Sequence, residues 1–228
     1  MPGTPKGKAA ETGGTGGTGG AGEGAAPRRR QARGERRVSQ LLAAAAGVFC
    51  RTGYAAASTN AIAREAGVSP GTLYQFFPNK EAIAVELGGQ LLQQAHEMHG
   101  QAFLPENLQR PLPELLDAVL DPVIAFNCEN PAFWALMHGS GIPGAIDQEH
   151  WKLHSSLLGR IESVLHTFCP ESSPAELAHT SNMILGIFKA SLDLILVHEG
   201  AEREAYIAEL KTVLLRYLDP MITTPHSG

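Results

Sequence analysis

The sequence predicts an all-α protein with two helical domains. From Pro113 onward, apolar residues recur at intervals of three and four, as on one face of an α-helix, and no segment alternates as a strand does. Between Thr59 and Lys80, a glycine and a Ser-Pro pair separate two short helical patterns, which indicates a helix-turn-helix. We therefore expect about nine helices, three in an N-terminal domain at residues 33–80 and the others in a C-terminal domain at residues 81–220.

The chain begins with a low-complexity tail and a basic arm. Residues 1–27 repeat Thr-Gly-Gly and hold almost nothing apolar, so we expect disorder over residues 1–32 and again over residues 221–228. Six arginines lie between Arg28 and Arg37. They are typical of an arm that follows nucleic-acid phosphates or enters a minor groove. The candidate contacts are Arg33, Arg36 and Arg37. A charge run that only keeps the chain soluble is the alternative.

Charge divides the chain near residue 90. The whole chain has a net charge of −5. Residues 1–90 hold eleven Lys and Arg against six Asp and Glu, whereas residues 91–228 hold seven against seventeen. A nucleic acid would therefore attract the first part and repel the second.

The first helix is predicted from about Arg36 to Arg51. Its apolar residues form one stripe at helical spacing, and Gly53 ends it. Thr59 is the expected cap of the second helix. A third helix can pack across these two.

The turn and the third helix follow from five residues. Gly67 supplies the backbone freedom that a turn between crossing helices requires. Ser69 is a favoured N-cap, and Pro70 is favoured at the first helical position. Leu73 and Phe77 lie four residues apart and should point inward together.

The outer face of this third helix is small and uncharged. Thr72 and Gln75 lie on it, three residues apart. A glutamine amide can pair with adenine, and a threonine methyl can contact the methyl of thymine. The pattern predicts a recognition helix in the major groove of DNA; the alternative is a helical hairpin that only packs.

The segment from Thr59 to Glu81 resembles the DNA-binding signature of the TetR (tetracycline-repressor-like) family of bacterial regulators. The resemblance extends over about fifty residues, from near Arg33 to about Leu87. It is specific because a plain helix-turn-helix lacks the Tyr-x-x-Phe-x-x-Lys-Glu sequence found here. Phe76 departs from the family, which more often has Tyr or His there, and it has no polar atom to reach a phosphate.

The resemblance implies two kinds of DNA contact. The residues that match Thr59, Tyr74 and Lys80 hold the DNA backbone. Close approach to the bases is implied for Pro70, Gly71, Thr72 and Gln75, and Ser69 completes the predicted set.

A fourth helix, from about Lys80 to His99, should begin beside the recognition helix and end in the acidic part of the chain, so it connects the two domains. After it, two helices at about 175–199 and 202–218 are the most apolar of the C-terminal domain. The first is apolar around nearly its full circumference, which one domain of this size seldom buries alone. We predict a two-fold, four-helix interface between two copies, and the resemblance implies the same homodimer. The predicted interface residues are Ile184, Ile187, Leu192, Ile195, Leu196, Leu210, Leu214 and Tyr217.

Aromatic residues, methionines and histidines of the C-terminal domain are candidates for a ligand cavity. Such aromatic and Met residues are more often plain core, but the resemblance implies a small-molecule effector that changes the spacing of the DNA-binding heads. We expect a largely apolar ligand, and we expect the short helix around Trp134 and the loop at 139–144 to move. The candidate lining residues are Phe126, Phe133, Trp134, Met137, His138, Trp151, His154, Met183 and Phe188.

Other functions have weaker support in the sequence. There is no nucleophile with a neighbouring base, no phosphate-binding loop and no HExxH pattern, so we expect neither an enzyme nor a cofactor. The pairs His96/His99 and His150/His154 could each supply two ligands to a metal, but no third ligand is evident. Three widely spaced cysteines indicate reduced thiols, inert more often than redox-active, and no signal peptide or membrane span is evident.

These observations predict a cytoplasmic DNA-binding transcription regulator. The specific expectation is a repressor that binds a palindromic operator as a homodimer and is released by its ligand. One alternative is an activator or a regulator that needs no ligand. Another is a small-molecule binding protein whose head no longer binds DNA.

Overall fold

The computed structural model describes residues 25–223, which form ten α-helices and no β-strand. The all-α prediction is confirmed, and the short α5 was not anticipated. Disorder was predicted for residues 1–32 and 221–228. Residues 1–24 and 224–228 lie outside the described residues, whereas residues 25–32 and 221–223 are helical, so the prediction was wrong for those two stretches. The helices are α1 (Ala25–Ala56), α2 (Thr59–Glu65), α3 (Pro70–Tyr74), α4 (Lys80–Ala102), α5 (Pro105–Leu108), α6 (Leu112–Glu129), α7 (Pro131–His138), α8 (Gly144–Phe168), α9 (Pro174–Val197) and α10 (Gly200–Thr223).

α1 differs most from its predicted bounds. It begins at Ala25 and not near Arg36, so the arginine-rich segment is helical. Alanine, arginine and glutamine all have high helix propensity, which explains the extension. Gly53 interrupts the helix with φ +71°, a left-handed value that favours glycine. The regular part of α1 therefore ends where the sequence indicated.

The chain divides into two compact units, one up to Ser39 and one from Gln40 onward. Within the first, Ser39 Oγ donates to the Glu35 carbonyl at 3.0 Å, and Gln31 Nε2 donates to the Glu35 carboxylate at 3.1 Å. Each of these hydrogen bonds joins residues one helical turn apart, so both stabilise this part of α1.

A three-helix head, made of α1 from Gln40 onward with α2 and α3, begins the second unit. Ser58 caps α2, because its Oγ accepts from the Ala61 amide at 3.2 Å. Thr59, the expected cap, is instead the first residue of the helix. Arg51 pairs with Glu65 at 2.8 Å and joins α1 to α2. The buried side chains of the head include Leu41, Ala45, Val48, Phe49, Ile62, Ala63, Leu73 and Phe77.

Helices α4 to α10 form the C-terminal domain. α4 begins at its cap, Asn79, next to the head and packs against α6, α7 and α8. α9 starts with a capping box of Ser173 and Glu176 and packs against α8 and α10. One apolar cluster joins α6, α9 and α10, and a second joins the ends of α8, α9 and α10.

α9 exposes much of its apolar surface. Among the described helices it alone is long and apolar enough, by length and composition, to cross a membrane, yet only 28% of its most apolar stretch is buried. The sequence predicted no segment long enough to cross a membrane, because its most apolar run is short. The helix is longer than that run, since it begins at Pro174. The exposed apolar side chains on α9 and α10 are Met183, Leu194, Val197 and Val213.

Four residues predicted to lie in the dimer interface are core residues instead. Leu192, Ile195, Leu210 and Leu214 are 0–2% exposed within one protomer. A partner subunit cannot bury side chains that are already buried, so the prediction was wrong for these four. Their face of α9 and α10 is occupied by α6. The other four are half-buried beside the core: Ile184, Ile187, Leu196 and Tyr217.

Candidate functional site

The turn before α3 has the geometry that its residues predicted. Gly67 has φ +65°, which only glycine adopts readily. Ser69 Oγ accepts from the Thr72 amide at 3.1 Å, and Pro70 is the first residue of the helix. Leu73 and Phe77 are buried. Gly67, Ser69 and Pro70 therefore determine where α3 begins. Leu73 and Phe77 determine which side of it packs against the rest of the head.

The recognition face, defined here as residues Pro70, Gly71, Thr72, Tyr74 and Gln75, points to solvent. Tyr74 is 51% exposed, and Gln75 follows the last residue of α3 with helical backbone angles. The Thr72 hydroxyl lies 2.9 Å from Ser69 Oγ, and a hydrogen bond between the two hydroxyls orients the Thr72 side chain. The face is uncharged and is shaped for close approach.

Thr59 and Tyr74, two of the residues expected at the DNA backbone, are already joined. The Thr59 Oγ1 and Tyr74 Oη atoms lie 3.0 Å apart and link the start of α2 to the end of α3. Both hydroxyls are thus presented together at one edge of the recognition face.

Lys80 has a structural role that the sequence did not reveal. Its Nζ donates to the Tyr54 carbonyl at 2.8 Å and to the Ala55 carbonyl at 3.0 Å, and it lies 4.4 Å from the centre of the Tyr54 ring. An ammonium has three N–H donors, so one is left for a phosphate. Lys80 therefore holds the end of α1 to the start of α4.

The remaining predicted DNA contacts lie in the unit that ends at Ser39. Arg33 and Arg36 are exposed, and Arg37 is half-buried. Phe76 is half-buried, in agreement with a side chain that has no polar atom for DNA.

The C-terminal domain contains a partly open apolar cavity of about 100 Å³. It lies among α6, α8, α9 and α10 and is lined by carbon side chains. Of the predicted ligand-binding residues, only Phe188 lines it. The sequence missed this cavity because leucine and isoleucine at its wall have the same spacing as leucine and isoleucine in a filled core.

A second cavity of about 60 Å³, the polar cavity, adjoins the first. The two share Val123, Leu157, Leu185 and Phe188. Five predicted residues line the polar cavity: Phe133, Trp134, His138, His154 and Phe188. The Trp134 and His138 rings are stacked, with centroids 3.8 Å apart, so α7 forms one wall.

Four other predicted lining residues lie elsewhere. Phe126 and Met137 are buried in the packing around α6 and α7, where Phe126 contacts Phe133 edge to face. Trp151 and Met183 are exposed. The helical positions of these residues turn them away from both cavities.

Four polar residues of the cavity were missed as ligand contacts. His99 and Asn127 are 8% and 4% exposed, and His150 and Lys189 are half-buried. Two of these residues had sequence features that could have identified them. Asn127 is an amide at an inward position of apolar α6, and Lys189 interrupts the most apolar run of the chain.

Burial keeps the histidines of the polar cavity neutral. It lowers the pKa of His99 to about 4, with a smaller contribution from Arg160. It also lowers the pKa of His150 to about 4 and that of His138 and His154 below their usual range, and the charge of Lys189 lowers all three further. Burial lowers the pKa of Lys189 as well.

No group of three or more His, Cys, Asp or Glu suited to a metal lies within the described part of the chain. The cysteines Cys50, Cys128 and Cys169 are free thiols. Burial raises the pKa of Cys50 and Cys169, which makes neither a ready nucleophile.

Two family models match the chain. One described as "Bacterial regulatory proteins, tetR family" matches residues 41–87, and one described as "Tetracyclin repressor-like, C-terminal domain" matches residues 110–222. No curated protein gives a significant match.

Solved structures share the fold. A TetR-like transcriptional regulator from Rhodococcus sp. RHA1 is 20% identical, with 80% of this chain and 96% of that chain covered and a TM-score of 0.66. PfmR, a TetR family transcriptional regulator from Thermus thermophilus, is 19% identical, with 77% and 97% covered and a TM-score of 0.62.

Proposed function

The chain belongs to the tetR family of bacterial regulatory proteins, and on that premise we propose that it is a repressor that binds a palindromic operator as a homodimer and is released by a small, largely apolar ligand. DNA-binding transcription regulation is the function of the family, and the chain is a regulator, not an enzyme. In this proposal residues 33–80 bind DNA, residues 81–220 bind the ligand and the second copy, and the protein acts in the cytoplasm.

The observation that carries the proposal is the recognition face. Pro70, Gly71, Tyr74 and Gln75 are exposed and Thr72 is half-buried, while Leu73, on the opposite side of the same helix, is fully buried. A helix held in this way can enter a major groove without rearrangement. Gln75 would read one base pair, while Thr59 and Tyr74 would contact a phosphate through their paired hydroxyls.

The exposed apolar surface of α9 and α10 supports a homodimer. Val197 is 74% exposed, and Met183, Leu194 and Val213 are also exposed. Large apolar patches on a soluble domain mark interaction sites. Two-fold symmetry would place two recognition helices about 34 Å apart, one turn of DNA, so the operator would be palindromic.

The cavities support release by a ligand. α4 has Lys80 at its first turn, bonded to the end of α1, and His99 at its last turn, on the wall of the polar cavity. A ligand that displaces one end of this helix would move the other, since a helix of this length transmits a rigid shift. α7 and the loop at 139–144, where Gly141 has φ +71°, would adjust to admit the ligand.

Selection of genomic DNA fragments with the purified full-length protein, followed by footprinting, tests the proposal. We expect a protected palindrome whose half-sites are about one helical turn apart. Binding that is steeply dependent on salt and shows no enriched sequence would favour a non-specific regulator. Ligand binding with no affinity for DNA would favour a binding protein with a vestigial head.

A further inference from the structure

Three buried polar atoms of the polar cavity lack a hydrogen-bond partner among the described residues. They are His99 Nδ1, Asn127 Oδ1 and His154 Nδ1. The Asn127 amide nitrogen donates to the Val123 carbonyl at 2.8 Å, which holds the side chain in place and leaves its oxygen directed elsewhere. Buried polar atoms in proteins are nearly always paired, so three such atoms at one cavity indicate a ligand with a polar group.

Lys189 places a cation at the same cavity. No ion pair joins its ammonium to a carboxylate within the part of the chain that the structure describes. The facing groups His138, His150 and His154 are neutral near pH 7 because burial lowers their pKa values. Asp147 and Asp193 act on His150 and His138, respectively, and both aspartates are exposed. A half-buried cation without a partner favours an anion.

The apolar cavity lies next to this polar end. It shares four wall residues with the polar cavity, and its other walls are carbon side chains. One molecule could therefore place a polar group beside Lys189 and an apolar group among Leu116, Leu120 and Ile161. The volume of the apolar cavity, about 100 Å³, is of the same order as the ~150 Å³ of an apolar cavity known to hold benzene.

We infer that the ligand is a small amphipathic carboxylate, with its carboxylate at Lys189 and its short alkyl or aryl group in the apolar cavity. This inference rests on the proposed function. It specifies that the largely apolar ligand proposed there carries one negative charge. A single ammonium matches one negative charge, whereas a phosphate dianion would keep excess charge in a partly buried site. Asn127 and the neutral histidines would supply the remaining hydrogen bonds to the ligand, directly or through a bridging water.

Calorimetric titration of the full-length protein with three probes that share one tail tests the inference. The probes are hexanoate, 1-hexanol and hexylamine, whose tails are short enough for the apolar cavity. We expect hexanoate to bind most tightly. Lys189→Met should weaken hexanoate binding by about ten- to hundred-fold, the range for a hydrogen bond to a charged group, and leave 1-hexanol binding unchanged. Lys189→Arg should restore part of the affinity for hexanoate.

Lys152→Met is the matched control, because Lys152 is an exposed lysine on α8 that pairs with Glu149 and lies outside both cavities. It should bind hexanoate like the wild type. Equal binding of hexanoate and 1-hexanol, equal weakening by both methionine variants, or no binding of any probe would overturn the inference.

Operator binding measured with the same probes separates this inference from the proposed function. Release of DNA by 1-hexanol as readily as by hexanoate would support a ligand-released repressor and contradict the anionic ligand. Hexanoate binding that depends on Lys189 but leaves DNA affinity unchanged would support the ligand class and contradict release.

Discussion

The DNA-binding head and the C-terminal domain differ in how they treat buried polar groups. In the head, none of the described polar residues is buried, and its hydroxyls and side-chain amides are paired within the head or face solvent. In the C-terminal domain, His99, Asn127, Thr180 and Ser181 are buried, and two of these line a cavity with an atom unpaired. A well-packed head can present a fixed surface, whereas unpaired polar groups beside a cavity leave interactions for a ligand to complete.

Removal of a core side chain from the head should have the largest effect. Leu73→Ala removes a fully buried side chain from α3, and the free energy of unfolding should fall by about 2–5 kcal/mol, measured by denaturant titration. Val85→Ala, at an exposed position of α4, should change it by less than about 0.5 kcal/mol. Similar effects of the two substitutions would show that the head is not tightly packed.

Acid should destabilise the C-terminal domain through its buried histidines. The folded-state pKa of His99 is about 4, below its unfolded value of about 6.5, so the unfolded state takes up a proton first as pH falls. Its stabilising effect is complete above about pH 6.5 and is lost progressively toward pH 4, by up to about 3 kcal/mol.

Denaturant unfolding at several pH values measures this loss. His99→Leu should make the dependence of stability on pH shallower, with the remainder due to His138, His150 and His154, whose pKa values burial also lowers. A pH dependence unchanged by the substitution would contradict the burial of His99 as its cause.

Gln75→Ala tests whether the recognition face reads bases. It should relax the preference at one base position by about 1–3 kcal/mol, measured by competition between operator variants. Lys80→Ala should instead weaken all sequences about equally, and it should lower stability because two carbonyls at the end of α1 lose their donor. Equal losses on every sequence for Gln75→Ala would refute the base-reading role.

Asn127→Leu should have the smallest effect of these predictions on the free energy of unfolding, and it should raise this free energy, whereas most substitutions lower it. It removes an unpaired buried oxygen, so the free energy of unfolding should rise by about 1 kcal/mol while ligand binding weakens. The control is Ser173→Ala, which removes the paired cap of α9 and should lower stability by about 0.5–2 kcal/mol. A destabilising Asn127→Leu would show that the amide is part of the packing.

Sequence patterns predicted the head better than the cavity for a definite reason. Gly67, Ser69 and Pro70 act on their own backbone or on residues three positions away, so their effect can be read from neighbouring letters. Lys80 is a partial exception. Its position was recognised through the family resemblance, but its bonds to Tyr54 and Ala55 join segments 25 and 26 residues apart and could not be read from spacing.

The dimer prediction shows the same limit. Periodicity identified α9 and α10 as unusually apolar, but it did not show which side α6 would cover. Leu192 and Ile195 proved to face α6 and α10, while Val197 remained exposed. Choosing among the apolar faces of one helix requires the positions of its neighbours.

The sequence by itself determined the all-α class, the helix-turn-helix and the residues that its third helix exposes, because helix caps, turns and periodicity are local properties. Only the tertiary structure decided that His99, Asn127 and Lys189, from three different helices, meet at one cavity and that an apolar chamber lies beside them. Cavities arise where helices distant in sequence fail to fill the space between them, and no single segment encodes that space.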